Sequence, residues 1–185
     1  EPSVGYAADA YARLRGLGVA LVTYGAGGLN MVNPVGLAYA EESPLLVISG
    51  SPETRFRKDK AQLHHCVKTF NTQHDVFAQV TESTAILTSA DSAQADIDRV
   101  FDTTLAHSRP GYIELPRDMV NAEIEISDKT PRLDTDKEAA LAEAVEEIAL
   151  RLQKAKQPVL MVGAQVRRFG LQQHVVELAE ALNLP

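Results

Sequence analysis

Apolar residues recur along this chain with two different periods, and the change from one period to the other predicts helices and strands in turn. Val4, Ala8 and Tyr11 lie at the spacing of one helix face, until Gly16 ends the pattern. Residues 19–24 then form a short apolar run bounded by glycines, which is typical of a strand buried on both faces of a parallel sheet. The chain is therefore predicted to begin with a helix followed by a strand.

The same reasoning predicts the remaining elements. Further helices are expected over residues 29–41, 90–107, 136–155 and 171–182, and further strands over 45–49, within 76–87, over 111–115 and over 158–163. Pro34 is expected to distort the helix over 29–41, or to restart it with Asn33 as the cap. Alternating strands and helices predict an α/β fold: a doubly wound parallel sheet with helices on both faces, followed by the beginning of a second α/β domain.

The length of the chain points to more than one domain. Its 185 residues exceed the domain size of roughly 150 residues. Residues 121–136 are polar and contain Pro131, and they show no clear period, as in a linker. We predict a first domain over 1–120, a linker over 121–136 and the start of a second domain over 137–185. Because the chain lacks an initiating methionine, a preceding segment is expected.

Composition narrows the class of protein. A hydrophobic fraction of 45% with 23% charged residues is typical of a globular protein. The net charge of −7, without a basic cluster, argues against nucleic acid as a partner. No apolar run reaches the ~18 residues of a membrane span. The single cysteine, Cys66, forms no internal disulfide, so we expect a cytoplasmic protein.

A glycine-rich turn at residues 25–28 joins a predicted strand to a predicted helix, where backbone amides approach ligands in dinucleotide-binding folds. The match to that motif is poor. Asn30 replaces its third glycine, and no acid ends the next strand, where Ser49 stands. The turn by itself favours a structural role that requires small residues.

Two consecutive histidines, His64 and His65, follow a polar loop, and adjacent side chains are expected to diverge there. A zinc site with Cys66 and His74 is disfavoured because no typical ligand spacing is present. The pair is either a solvated polar pair or a pair that binds an anionic substrate and transfers protons. Cys66 is interpreted as a small hydrophobic residue rather than a nucleophile.

Five segments in this order resemble the thiamine-diphosphate-dependent 2-oxo-acid decarboxylases, and within that family they are most similar to the phenylpyruvate and indolepyruvate decarboxylases. They are EPSVGYAADAYAR at 1–13, TYGAGGLN at 23–30, AYAE at 38–41, HH at 64–65 and RPGYIELPRD at 109–118. The ordered combination is more specific than any one motif. Residues 1–120 then correspond to the pyrimidine-binding domain without its first strands, and 137–185 to the start of the central domain.

The resemblance implies a set of site residues: Glu1, Thr23, Gly25, Asn30, His64 and His65. Glu1 corresponds to the catalytic carboxylate that hydrogen-bonds N1′ of the cofactor aminopyrimidine. His64 and His65 correspond to catalytic histidines near the substrate carboxylate. Thr23, Gly25 and Asn30, together with Glu1, are expected to contact the cofactor, and no metal ligand is expected in this chain.

The same resemblance implies that the parent protein converts an aryl or indolyl 2-oxo acid to an aldehyde and carbon dioxide. Its cofactors would be thiamine diphosphate and Mg²⁺, whose ligands belong to a C-terminal domain with a Gly-Asp-Gly to Asn motif that this sequence lacks. The diphosphate-binding domain of a partner subunit would complete the site in a homodimer or homotetramer. The chain alone is therefore expected to be inactive.

Two other functions stay open at this point. A free-standing, non-catalytic binding module would have the same fold. A carboligase like acetolactate synthase would use the same cofactor, but such enzymes generally lack the paired histidines. The histidine pair therefore favours decarboxylation.

Overall fold

A computed structural model describes residues 1–59, 62–126 and 138–185. The chain divides into two compact units, Glu1–Leu133 and Asp134–Pro185. Residues 127–136 of the predicted linker lie outside the described residues, and the predicted domain limits stay a prediction.

The first unit alternates helices with strands. Its helices are α1 (Pro2–Arg15), α2 (Ala26–Leu29), α3 (Val32–Ala40), α4 (Thr54–Asp59), α5 (Thr72–Phe77) and α6 (Ala90–His107), and a 3₁₀ turn spans Arg117–Met119. Its strands are β1 (Gly18–Val22), β2 (Leu45–Ser51), β3 (Ser83–Ile86) and β4 (Gly111–Pro116). The short strand expected within 76–87 is therefore β3.

The four strands form one parallel sheet in the order β1-β2-β4-β3. Gly18 of β1 lies opposite Leu45 of β2, and Gly111 of β4 lies opposite both Leu46 of β2 and Ser83 of β3. The last strand in the chain is thus inserted between its two predecessors. The predicted α/β fold with a parallel sheet is confirmed.

One face of the sheet is covered by α1, α3 and α5. The buried residues of this core are Ala8, Ala20, Val22, Met31, Val35, Ala38, Leu45, Val47, Phe77 and Tyr112. The rings of Phe77 and Tyr112 stack with their centroids 4.1 Å apart, which joins α5 to β4 at the centre of the sheet. Helix α5 is thereby held against this face beside Tyr112 of β4.

The other face is covered by α6. Its buried residues are Leu46, Ala85, Leu87, Val100 and Ile113. A Cβ at Gly111 would lie 2.2 Å from Oγ1 of Thr104, so α6 packs against β4 too closely for any larger residue there. On the same face of β1, Val19 and Leu21 are 53% and 73% exposed. Helices thus lie on both faces, although one face of β1 is bare.

Local signals at the ends of α1 and α6 explain why these helices match the predictions. Gly16 ends α1 in the left-handed region, at φ 92°. Ser89 accepts a hydrogen bond from the backbone N–H of Asp91 at the start of α6, and Ser108 ends the helix at φ 50°. The predicted helix over 90–107 is confirmed at both ends.

The expected distortion at Pro34 is wrong. The helical segment breaks earlier, between α2 and α3, and Pro34 lies in the first turn of α3, where its missing N–H has no helical partner to lose. Asn33 is inside α3 and Met31 is the residue at the cap position. The proline therefore lies in the first turn of a restarted helix instead of bending a continuous one.

The second unit contains α7 (Glu138–Lys154), α8 (Ala164–Arg168) and α9 (Gln172–Leu182). The predicted strand over 158–163 is wrong for the described residues, because that segment is neither helix nor strand. A strand needs a hydrogen-bonded neighbour, and the unit offers none in the part that the structure describes. Leu160 instead donates its N–H to the carbonyl of Pro185, and Met161 is 94% exposed.

A carboxylate is fully buried in β4. Arg57 donates to Oε2 of Glu114 over 2.5 Å, and the hydroxyl of Tyr112 donates to Oε1 over 3.0 Å. Burial raises the pKa of Glu114 and the Arg57 cation opposes that rise. Because both oxygens are hydrogen-bonded, the carboxylate is tolerated in the interior.

The stability of the chain should depend on pH through Glu114. Because the pKa of folded Glu114 lies above its ordinary value of 4.5, the folded chain binds more protons than the unfolded chain between those two values. The free energy of unfolding of the wild type should therefore fall as pH rises through this window. Glu114→Gln removes this titration. The free energy of unfolding of the wild type minus that of the variant, measured by urea unfolding, should therefore decrease as pH rises.

The matched control is Glu123→Gln, at an exposed carboxyl. This variant should show the same pH dependence as the wild type. A difference between wild type and Glu114→Gln that stays constant over the window would contradict the assigned role of burial.

Candidate active site

The carboxyl ends of β1 and β2 border a recess of about 420 Å³. Because parallel strands end at the same edge of a sheet, this is where ligands bind in open α/β folds. The lining residues are Thr23, Tyr24, Gly50, Ser51, Pro52, Leu63, His64, His65 and Cys66. A neighbouring cavity of about 700 Å³ shares Leu63 and Cys66 with it. Three predicted site residues, Thr23, His64 and His65, thus line one recess.

The glycine turn touches two of the predicted catalytic residues. Gly25 has φ 80°, and a Cβ there would lie 2.2 Å from the carbonyl oxygen of His65. A Cβ at Gly27 would lie 2.8 Å from Oε1 of Glu1 and 2.5 Å from Cγ2 of Thr23. The structure therefore brings Glu1, Thr23, Gly25 and His65 together around a turn that only glycine can form.

The direction of α1 explains how the first residue reaches this turn. The short turn after α1 leads straight into β1, so the helix packs antiparallel to the strand and its first residue lies at the strand's carboxyl end. Glu1 is the residue at the cap position, but its side chain makes no capping hydrogen bond. The exposed carboxylate remains oriented toward the glycine turn as an acceptor.

His64 and His65 occupy the middle of a tight turn. The N–H of Cys66 donates to the carbonyl of Leu63 over 3.1 Å and closes this turn. The two imidazole rings are in edge contact, with centroids 4.3 Å apart and planes at 71°. The expectation that the two side chains diverge is therefore wrong, because the tight turn brings the two rings together.

Asn30 lies at the end of α2 and is exposed. Its backbone N–H donates to carbonyls of Ala26 and Gly27, which is the geometry of a helix end. This contact does not involve its side chain. Its predicted role in cofactor binding stays a prediction.

Tyr24 lines the recess and is largely buried. Its hydroxyl donates to the carbonyl of Phe70 over 3.1 Å, which ties the end of β1 to the segment before α5. Burial raises the pKa of Tyr24 to about 12. The side chain therefore stays neutral at ordinary pH.

Sequence reasoning missed one residue at this site, Gln73 of α5. Its side-chain oxygen accepts the backbone N–H of Gly25 over 2.7 Å, although 48 residues separate them. A polar residue in a short helix after a loop gives no periodic signal of burial. Nothing in the sequence alone distinguishes Gln73 from the exposed Gln79.

The residues at the glycine turn fit the aminopyrimidine end of thiamine diphosphate. The Glu1 carboxylate is an acceptor able to bind a ring nitrogen that carries a proton, and the absence of side chains at Gly25 and Gly27 lets His65 and Glu1 lie directly against the turn. The described residues contain no group of three or more His, Cys, Asp or Glu side chains able to hold a metal ion. Within the same residues, no helix has the length and apolarity needed to cross a bilayer.

Residues 1–78 match the family described as thiamine pyrophosphate enzyme, N-terminal TPP binding domain. Over its full length, the chain is 48% identical to an indole-3-pyruvate decarboxylase of Azospirillum brasilense and 34% identical to a pyruvate decarboxylase of Hanseniaspora uvarum. It is also 35% identical to a pyruvate decarboxylase of Aspergillus fumigatus, and it covers 34% of each of these three relatives. Residues 1–78 therefore belong to the N-terminal TPP binding domain family of thiamine pyrophosphate enzymes, and the chain as a whole is similar to proteins named indole-3-pyruvate decarboxylase and pyruvate decarboxylase.

Proposed function

We propose that the protein containing this chain is a thiamine-diphosphate-dependent decarboxylase of 2-oxo acids, and that its substrate has an aryl or indolyl side chain, as in phenylpyruvate or indolepyruvate. The observation that carries the proposal is the contact of Glu1 and of His65 with one glycine turn. The preference for an indolyl or aryl substrate is supported by 48% identity to a protein named indole-3-pyruvate decarboxylase.

When bound, thiamine diphosphate supplies the carbon nucleophile and the electron sink that decarboxylation of a 2-oxo acid requires. Glu1 would hold the pyrimidine through a hydrogen bond between its carboxylate and a ring nitrogen. Gly25 and Gly27 let His65, Thr23 and Glu1 pack closely against the turn, which places the Glu1 carboxylate beside its backbone. The role of Thr23, Gly25 and Gly27 is to bind and orient, and Glu1 also acts as a general acid–base group.

His64 and His65 act on the substrate side of the recess. Their imidazoles line it, so they bind the carboxylate of an anionic 2-oxo acid and donate or accept protons there. Leu63 and Pro52 add apolar surface to the same lining. A recess of about 420 Å³ lies within the size range of small-molecule sites.

The rest of the site is assigned to other parts of the protein. The relatives are about three times as long as this chain, since it covers 34% of their length. We assign the diphosphate group and Mg²⁺ to a diphosphate-binding domain of a partner subunit in a homodimer or homotetramer. We place the enzyme in the cytoplasm.

The full-length protein with thiamine diphosphate and Mg²⁺ should release aldehyde from phenylpyruvate and indolepyruvate. Because the substrate pocket is proposed to accept a ring, kcat/KM for these acids should exceed that for pyruvate by at least about tenfold, the effect of about 1.4 kcal/mol in the transition state. A coupled assay, in which a reductase consumes the aldehyde product, measures kcat/KM for phenylpyruvate, indolepyruvate and pyruvate. A preference for pyruvate would contradict the proposed substrate, and acetolactate in place of acetaldehyde as the product from pyruvate would contradict aldehyde release.

Glu1→Gln in the full-length protein should lower kcat by about 100-fold or more, the effect typical of losing a general acid–base group. The fold should persist, because the Glu1 side chain makes no capping bond for α1. Steady-state kinetics and far-UV circular dichroism test the two statements. Glu123→Gln is the control, and near-wild-type turnover by Glu1→Gln would refute the role of this carboxylate.

His64→Ala and His65→Ala should each lower kcat/KM for the 2-oxo acid by at least about tenfold. The reason is the loss of an imidazole that contacts the substrate or transfers a proton. His107→Ala is a matched control, because His107 pairs with Glu82 at the end of α6, away from the recess lining. If all three variants keep full activity, His64 and His65 are a solvated surface pair.

A further inference from the structure

Gln73 is buried beneath the glycine turn, with 2% of its surface exposed. All of the polar atoms of its side chain are engaged. Oε1 accepts the N–H of Gly25 over 2.7 Å, and Nε2 donates to Oγ of Ser49 over 2.8 Å and to the hydroxyl of Tyr112 over 2.6 Å. The amide therefore joins α5 to the turn after β1, to β2 and to β4.

The partners of Gln73 are themselves held in place. Tyr112 donates to Glu114, whose other oxygen accepts from Arg57. Burial raises the pKa of Tyr112, so its hydroxyl remains a donor. The Ser49 hydroxyl donates a shared hydrogen bond to two backbone carbonyls, that of Gly50 at 2.9 Å and that of Thr23 at 3.3 Å. Each donor meets an acceptor along this chain of bonds, which determines the orientation of the amide.

The turn that Gln73 holds is packed on three sides. A Cβ at Gly28 would lie 2.7 Å from the Gln73 amide, one at Gly25 would lie against the His65 backbone, and one at Gly27 would lie against the Glu1 carboxylate. A shift of the turn therefore changes its contacts with His65 and Glu1 together. Gln73 is absent from the lining of the recess, so it acts on neither group directly.

We infer that Gln73 is a positioning residue: by binding the Gly25 N–H, its amide fixes the glycine turn so that Glu1 and the His64–His65 turn keep the spacing that catalysis needs. The inference rests on the proposed function. It adds a buried residue that holds the turn from the protein interior, whereas the proposed catalytic residues contact the turn at the recess.

Only an amide satisfies the observed bonds. Leucine at position 73 has similar volume but leaves the Gly25 N–H and one hydroxyl interaction at each of Ser49 and Tyr112 without a partner. Glutamate accepts from Gly25 but has no proton for the other two groups, and it adds a second buried carboxylate close to Glu114. Both substitutions therefore weaken the hold on the turn, by different means.

The test uses the full-length protein with Gln73→Leu, Gln73→Glu and the control Gln79→Leu, at an exposed glutamine just after α5. Hydrogen–deuterium exchange of residues 23–29 is measured without cofactor. Exchange should be about tenfold faster in both Gln73 variants than in wild type, the factor expected from loss of one hydrogen bond. Gln79→Leu should exchange like the wild type.

Two further readouts separate positioning from stability. At a temperature where every variant is folded, Gln73→Leu should bind thiamine diphosphate about tenfold more weakly, and kcat should fall about tenfold while KM for phenylpyruvate changes less than about twofold. A purely structural role predicts a lower unfolding temperature with unchanged cofactor affinity and kcat. That result, or wild-type exchange at 23–29, would overturn the inference.

If Gln73→Leu fails to fold, Tyr112→Phe takes its place, since it removes one acceptor of the amide and conserves volume. Faster exchange at 23–29 than in Gln79→Leu supports the inference, and equal exchange overturns it. A wild type that neither binds thiamine diphosphate nor forms aldehyde refutes the proposed function. Exchange at 23–29 still reports whether Gln73 holds the turn in that case.

Discussion

Parallel pairing of β1 with β2 is the constraint on which the candidate site depends. Since the two strands run in the same direction, the turns that follow them lie side by side at one edge of the sheet. The helix before β1 packs back along the strand, which returns Glu1 to the same edge. Three segments distant in sequence thus meet there because of topology alone, before any side chain interacts.

The polar interior below this edge has a cost that the apolar core offsets. Removing Glu114 and Arg57 from water is unfavourable, and mutual attraction repays it only when the remaining hydrogen bonds are made. Here the carboxylate has donors on both oxygens, whereas Nε of Arg57 is buried without a hydrogen-bond partner. Such an interior contributes less to stability than to a single arrangement of the strands, because each bond has a direction.

Much of the fold followed from periodicity, because the signals were local. Helix α6 has an apolar face together with Ser89 and Ser108 at its ends, and both kinds of signal are legible in the sequence. The prediction of a strand over 158–163 was wrong because an apolar run indicates only a preference for extended backbone, whereas a strand requires a hydrogen-bonded neighbour. Contact between the rings of His64 and His65 depends on a turn closed by one backbone bond. Gln73 was missed because its partners are distant in sequence.

The bare face of β1 has a consequence for the chain in solution. In the part of the chain that the structure describes, β1 pairs with β2 alone, so its outer backbone N–H and C=O groups face outward beside Val19 and Leu21. Val19 and Leu21 therefore present apolar surface on a sheet face that no described helix covers, and burying these two side chains would remove that surface from water.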